Sequence, residues 1–347
     1  MTRKARIGIT RDLFDEEGRC VSPGPGPKLL EEIPGVEWEM FPEYTTEVSP
    51  EQVRGFDMVV SFAPYWTPRT FASSDQLLAI LRGGVGYDMV NVPACTEASV
   101  ALFICPPAVR RPVAVGIMAF IIALSTRLLI KDRLARGGRW VEGRNLPGQG
   151  LTGRTLGSIG VGNIGHEMFR LAKPFGMRHI AYDPYLKEED VADVDVKLVD
   201  MDTVLEQSDF VNISCPLSEK TRHLIGEKEL KKMKKTAFLI NTARGPIVDE
   251  AALIKALKEG WIQGAGIDVF EQEPTPADNP LLKLENVIVT PHAIALTDEF
   301  HIVMWQEIAK QVSQLIRGEK PGTLVNAEVW DKPEFQAKLK KFHEAIK

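Results

Sequence analysis

Three polar residues stand just past three apolar runs in the second half of the chain. They are Arg244 in "LINTARGPIVDE", Glu273 in "GIDVFEQEP" and His292 in "NVIVTPH". Each type does a different piece of one chemistry. A histidine, with an ordinary pKa of ~6.5, exchanges a proton near neutrality. A glutamate on its other ring nitrogen fixes the tautomer and favours the imidazolium form. An arginine offers a planar fork of donors that binds a carboxylate and polarises a neighbouring carbonyl. Singly, each is an ordinary surface or ion-pair residue; together, at matching strand ends, they are candidates for catalysis.

Upstream, "TLGSIGVGNIGHEMF" holds Gly160, Gly162 and Gly165 as G-x-G-x-x-G between an apolar strand and a helical pattern. That context marks a dinucleotide cradle. Gly160 permits the tight turn, Gly162 admits a pyrophosphate to the backbone, and Gly165 lets helix and strand approach. Phosphates then sit on free N–H groups at the positive helix end, beside Asn163 and Ile164. Asp183 closes the next strand, "HIAYD", about twenty positions on. Its carboxylate suits ribose hydroxyls and repels a 2′-phosphate, and Tyr185 and Leu186 follow with no arginine. NAD(H) is therefore expected over NADP(H). Hydride transfer coupled to proton exchange at a hydroxyl is the chemistry the two motifs share.

Regular elements must position these residues. From about 151, short apolar runs alternate with helical patterns, which predicts a parallel sheet covered on both faces. Right-handed crossovers make it doubly wound, with its ligand crevice outside the strand carboxyl ends. The first ~105 residues read as strands "RIGIT", "VEWEMFP", "DMVVSF" and "ALFICP". "DQLLAILRGG" reads as a helix running into a glycine turn. "CPPAVRRP" at 105–112 reads as a stiff crossover, and "VAVGIMAFIIAL" at 113–124 as a buried helix continuing through "STRLLIKDRLAR". That apolar run is shorter than the ~20 residues needed to span a bilayer. The basic tail "AKLKKFHEAIK" reads as a solvated amphipathic helix.

The chain has 347 residues, enough for two domains, and a net charge of −5. That charge gives no attraction to nucleic acid or to anionic membranes. Cys20, Cys95, Cys105 and Cys215 are scattered without a C-x-x-C pair, against a disulfide framework or a metal site. With no apolar h-region near the N-terminus, a cytoplasmic protein is expected.

The segments "RGGVGYD", "TLGSIGVGNIG", "NTARGPIVDE", "GAGIDVFEQEP" and "TPH", in this order, make the chain resemble the NAD-dependent D-isomer-specific 2-hydroxyacid dehydrogenases. The resemblance implies two Rossmann-like α/β domains, with the cofactor domain (107–297) inserted into a flavodoxin-like substrate domain (1–106 with 298–347). It implies a homodimer through the 113–136 region and reversible reduction of a 2-oxo acid to the (R)-hydroxy acid. His292 would be the acid/base, Glu273 would orient it, and Arg244 would bind the substrate carboxylate with the N–H groups of Val85 and Gly86. Asp268 would lie beside the nicotinamide carboxamide, and Cys215, Pro216, Thr242 and Ala243 would line the adenosine side. Tyr65 and Trp66 are candidate pocket walls beside the substrate. The chain departs from the family pattern at "VAVG" (113–116), at Arg110 and Arg111, and at "AIALT" after His292. Arg110 is a candidate for reading a second polar group on the substrate. A glyoxylate/hydroxypyruvate reductase has the same motifs. A dinucleotide-sensing corepressor shares the fold, and an intact catalytic trio argues against it.

Overall fold

The computed structural model describes residues 3–346. The chain divides into two compact units, Met1–Val109 with Leu296–Lys347, and Arg110–Ala295.

The first unit is built on β1 (Ala5–Ile9), β2 (Val36–Met40), β3 (Met58–Ser61), β4 (Ala79–Arg82) and β5 (Ala101–Phe103). All pair in parallel, in the order β2-β1-β3-β4-β5, the flavodoxin-like arrangement. "DQLLAILRGG", expected as a helix, instead contributes β4. Leu77 to Leu81 are all fully buried, and a short run apolar on every side cannot be told from a buried strand by its period. The tail forms the expected amphipathic helix, with Lys340, Lys341 and Glu344 on its solvated face, and Lys338 is the exception. Helix Pro333–Ile346 buries Phe335, Leu339 and Phe342. Its Lys338 ammonium donates to the carbonyls of Ser74, Leu77, Ala98 and Ser99.

The second unit carries β6 (Thr155–Ile159), β7 (Arg178–Tyr182), β8 (Val196–Leu198), β9 (Phe210–Ile213), β10 (Phe238–Asn241), β11 (Gly264–Ile267) and β12 (Val287–Val289). Their order is β12-β11-β10-β9-β6-β7-β8, again all parallel. The order reverses between β6 and β9, which is where a doubly wound sheet opens its crevice. β8, the short outer strand, carries too little apolar pattern to stand out in the sequence.

"CPPAVRRP" does carry the chain from one unit to the other, at Val109 to Arg110, but it does so as helix: the helix already begins at Pro106 and runs to Thr126. Pro106 and Pro107 occupy the first turn, where the missing N–H costs nothing, and Pro112 is tolerated inside the helix. Nor does the helix continue through 136. Arg127 turns left-handed (φ 56°), the Gln149 N–H takes the Ser125 carbonyl at 2.7 Å, and a separate helix spans Leu128–Arg136. Although the 21-residue helix is long and apolar enough to cross a membrane, it serves as a core helix. Phe120 lies flush on β11: a Cβ on Gly266 would meet its ring at 2.7 Å.

Candidate active site

β10, β11 and β12 are neighbours in the sheet, so the residues past their carboxyl ends share one rim. His292 Nδ1 and Glu273 Oε2 are 2.7 Å apart. A carboxylate only accepts, so Nδ1 carries the proton and Nε2 is left to exchange one. Both side chains remain partly exposed. Burial alone would push the Glu273 carboxyl up; the bond to His292, the Phe270 N–H and the Arg244 charge outweigh it and hold it below its ordinary range. Phe270 N–H reaches Glu273 Oε1 at 2.9 Å, which engages the second oxygen.

His292 has φ 51°, a left-handed conformation uncommon outside glycine. Asp268 enforces it. The Asp268 carbonyl accepts the His292 N–H at 2.7 Å. Its carboxylate oxygen Oδ1 accepts from Thr290 Oγ1, Ala293 N and Ile294 N at 2.6, 3.0 and 3.1 Å. Burial pushes the Asp268 carboxyl up, and these three donors partly offset the shift. On the other side of the loop, Ile294 sits in a notch of the long helix at Gly116, where a Cβ would lie 2.3 Å from Ile294 Cγ1.

The Arg244 loop is placed just as closely. Asn241 at the end of β10 donates to the Arg244 carbonyl at 2.9 Å and accepts from Ala243 N at 3.1 Å. The Arg244 guanidinium donates to the Ala243 carbonyl at 2.6 Å. A Cβ on Gly245 would fall 1.9 Å from the Phe270 carbonyl, so only glycine lets this loop lie on the segment that carries Glu273. Asn241 and Gly245 hold the Arg244 loop in place, and both stand beside Arg244 in the same string although neither carries chemistry of its own.

The glycine turn stands at the reversal point. Gly160 has φ +89°, and a Cβ there would meet the backbone of Ser214 and Cys215 within 2.9 Å. Gly162 is the uncapped N-cap of helix Asn163–Ala172, and nothing lies within 4 Å of the position its Cβ would take. First-turn N–H groups have no intrahelical partner, so this turn offers both room and donors. Asp183 accepts from Val161 N and Tyr185 N, each at 3.0 Å, and so fixes the turn. A dinucleotide would fit these residues, which would hold its pyrophosphate at Gly160 to Gly165 and its ribose at Asp183. Cys215 and Pro216 follow β9, and Thr242 and Ala243 follow β10, at the same sheet edge. Burial pushes the Cys215 thiol up to about 11.

Arg111 pairs with Glu167 of the glycine-motif helix at 2.6 Å, and Arg170 pairs with the other carboxylate oxygen at 2.6 Å. Burial would raise the Glu167 carboxyl, but Arg111, Arg170 and Arg110 together hold it low. Arg110 itself is exposed.

In the first unit, the Val85 and Gly86 N–H groups have no backbone acceptor among the described residues. Tyr65 is exposed, on a groove of about 480 Å³ that it shares with Tyr87 and Met89. Trp66, by contrast, is a core residue: it is 1% exposed, and its Nε1 donates to Ser61 Oγ at 2.9 Å. Its ring packs inward because successive extended residues point to opposite sides.

A parallel sheet with a glycine-turn cradle at its reversal point, and a paired histidine and glutamate on the rim, defines an NAD-linked oxidoreductase. Residues 118–293 match the family model described as "D-isomer specific 2-hydroxyacid dehydrogenase, NAD binding domain". The chain is 38% identical to the glyoxylate reductase of Korarchaeum cryptofilum over 94% of its own length and 97% of the relative's. Its structure is similar to that of a glyoxylate reductase from Paecilomyes thermophila (TM-score 0.79, 28% identity, covering 94% of this chain and 99% of that one). It also resembles the D-lactate dehydrogenase of Aquifex aeolicus solved with NAD and lactic acid (TM-score 0.80, 25% identity, 92% and 99% covered). The chain belongs to the D-isomer-specific 2-hydroxyacid dehydrogenase family.

Proposed function

We propose that the protein reduces a small 2-oxo acid to the (R)-2-hydroxy acid, reversibly, with His292 as the proton donor. The observation that carries this reading is the 2.7 Å His292–Glu273 bond on the rim that also holds Arg244. Nicotinamide, when bound, supplies or accepts the hydride. His292 Nε2 hands its proton to the carbonyl oxygen, and the Glu273 carboxylate stabilises the imidazolium from which it leaves. In the reverse direction the same nitrogen takes the hydroxyl proton. The Arg244 fork holds the substrate carboxylate and turns its 2-carbon toward the histidine. Val85 and Gly86 N–H groups are further carboxylate donors, and Tyr65 is a candidate contact for the group beyond C2. Asp268 takes a part in holding the nicotinamide carboxamide beside its structural bonds.

NAD(H) is the preferred cofactor, because the Asp183 carboxylate opposes a 2′-phosphate. A second copy of the chain is the expected partner, through the 113–136 region. Val115, Leu128, Leu129, Trp140 and Val141 form exposed apolar surface there or just beyond it. A cytoplasmic location accords with the four free thiols.

Glyoxylate is the first substrate to test, on the names of the relatives. NADH and NADPH oxidation would be followed with glyoxylate, hydroxypyruvate, pyruvate, phenylpyruvate, 2-oxoglutarate and oxaloacetate, with His292→Ala as the control. Turnover that disappears in the control supports the reading. Cofactor binding without turnover on any of these acids would favour a dinucleotide sensor.

A further inference from the structure

Beside the His292–Glu273 pair the same loop makes a second histidine–glutamate pair, two residues earlier. His223 Nε2 lies 2.6 Å from Glu271 Oε1. We infer that His223 is a positioning residue that laces the Arg244 loop to the Glu273 loop. The inference rests on the roles proposed above for those two residues.

His223 touches both segments at once. Its N–H donates to the Pro246 carbonyl at 2.8 Å, and two residues later Ile225 N donates to the Ile247 carbonyl at 3.1 Å. That ties residues 223–225 to the stretch directly after Arg244. The ring reaches the other way, to Glu271, between Asp268 and Glu273. Its backbone is left-handed (φ 51°), as at His292. A non-glycine residue keeps that conformation only where its surroundings over-determine it.

Glu271 is anchored from behind as well. The Glu250 N–H donates to Glu271 Oε1 at 3.3 Å, and the Glu271 N–H donates to Glu250 Oε2 at 3.2 Å. Glu250 Oε1 in turn accepts from Asn279 Nδ2 at 2.8 Å. Glu271 therefore receives donors from the helix after the Arg244 loop and from His223, while its own main chain is fixed. With Gly245 pressed on Phe270, the two loops are held by packing on one side and by the His223 ring on the other. Glu273 Oε2 must stay within hydrogen-bond reach of His292, and misplacement by about 1 Å costs up to about a hundredfold in rate.

The test compares His223→Leu, which fills the space without a donor, with His223→Gln, whose amide can still donate to Glu271. In the active enzyme His223→Leu lowers kcat about tenfold or more and raises KM for the oxo acid. NADH affinity and melting temperature stay near wild type, and His223→Gln recovers most of the loss. Adding Glu271→Gln to His223→Leu brings little further loss, because both remove one interaction. Amide hydrogen exchange gives a readout independent of turnover: His223→Leu raises exchange at 244–248 and 270–273 and leaves 160–170 unchanged. Wild-type kcat, KM and exchange in His223→Leu would overturn the inference. Equal losses of NADH binding, stability and turnover in both variants would overturn it too, by making His223 a global fold residue. A wild-type protein silent on every 2-oxo acid would refute the proposed function, while the exchange data would still decide on the bracket.

Discussion

Gly116 and Ile294 fit as notch and knob: a methyl on Gly116 would lie 2.3 Å from Ile294 Cγ1. Ile294 also donates its N–H to Asp268 Oδ1, so the knob belongs to the loop that presents His292. Gly116→Ala should therefore lower kcat by about tenfold or more, as a displacement of the acid/base by a fraction of an ångström does. The double variant Gly116→Ala/Ile294→Ala should regain most of that loss. Steady-state kinetics of the two variants against wild type check the pairing; a Gly116→Ala enzyme as active as wild type would refute it.

Glu273→Gln should keep the fold and lose at least about tenfold in kcat, because an amide no longer selects one tautomer or stabilises the imidazolium. The effect on stability has a defined sign. The Glu273 carboxyl is held below its ordinary value of 4.5, so the unfolded chain binds its proton first as pH falls. Its stabilising contribution is present above about pH 4.5 and is lost as pH drops through the lower folded value. Thermal melts of wild type and Glu273→Gln should differ at pH 7 and converge toward pH 3. A difference that grows on acidification would contradict the pairing.

Asp183→Ser removes both a repeller of 2′-phosphate and the acceptor of the Val161 N–H. The ratio of kcat/KM for NADH over NADPH should fall by about tenfold or more, with absolute NADH efficiency also reduced. Unchanged cofactor preference would remove Asp183 from the ribose site.

Lys338→Met should destabilise the protein by about 2 kcal/mol, because partly buried carbonyls lose a charged donor. Burial pushes the Lys338 ammonium down to about 8 from 10.5. Between those values the unfolded chain binds the proton that the folded chain has released, so this group makes stability rise with pH across that window. Denaturant titrations at pH 7.5, 9 and 10 should show that rise in wild type relative to Lys338→Met. Parallel profiles would place the ammonium in ordinary solvation.

Much of the site was legible in the string itself. Arg244, Glu273 and His292 each follow an apolar run, and a residue just past a strand's carboxyl end lies near the sheet rim. The glycine turn was equally local, since φ, space and helix start are all set within a few residues. Short apolar runs were not decisive by period alone, so "DQLLAILRGG" was expected as a helix and forms β4. The prolines of "CPPAVRRP" read locally as a stiff crossover, and in the fold they open a helix. Lys338 points inward because of carbonyls more than two hundred positions away in the chain, which no local pattern contains. The two departures at Gly116 and Ile294 looked unrelated in sequence; the fold sets them against each other. His223 and Glu271 are likewise 48 positions apart. Sequence determined which groups carry the chemistry, because residue type and strand ends are local properties. Only tertiary structure decided what holds them in place, because steric fit and hydrogen-bond closure exist only between segments that folding brings together.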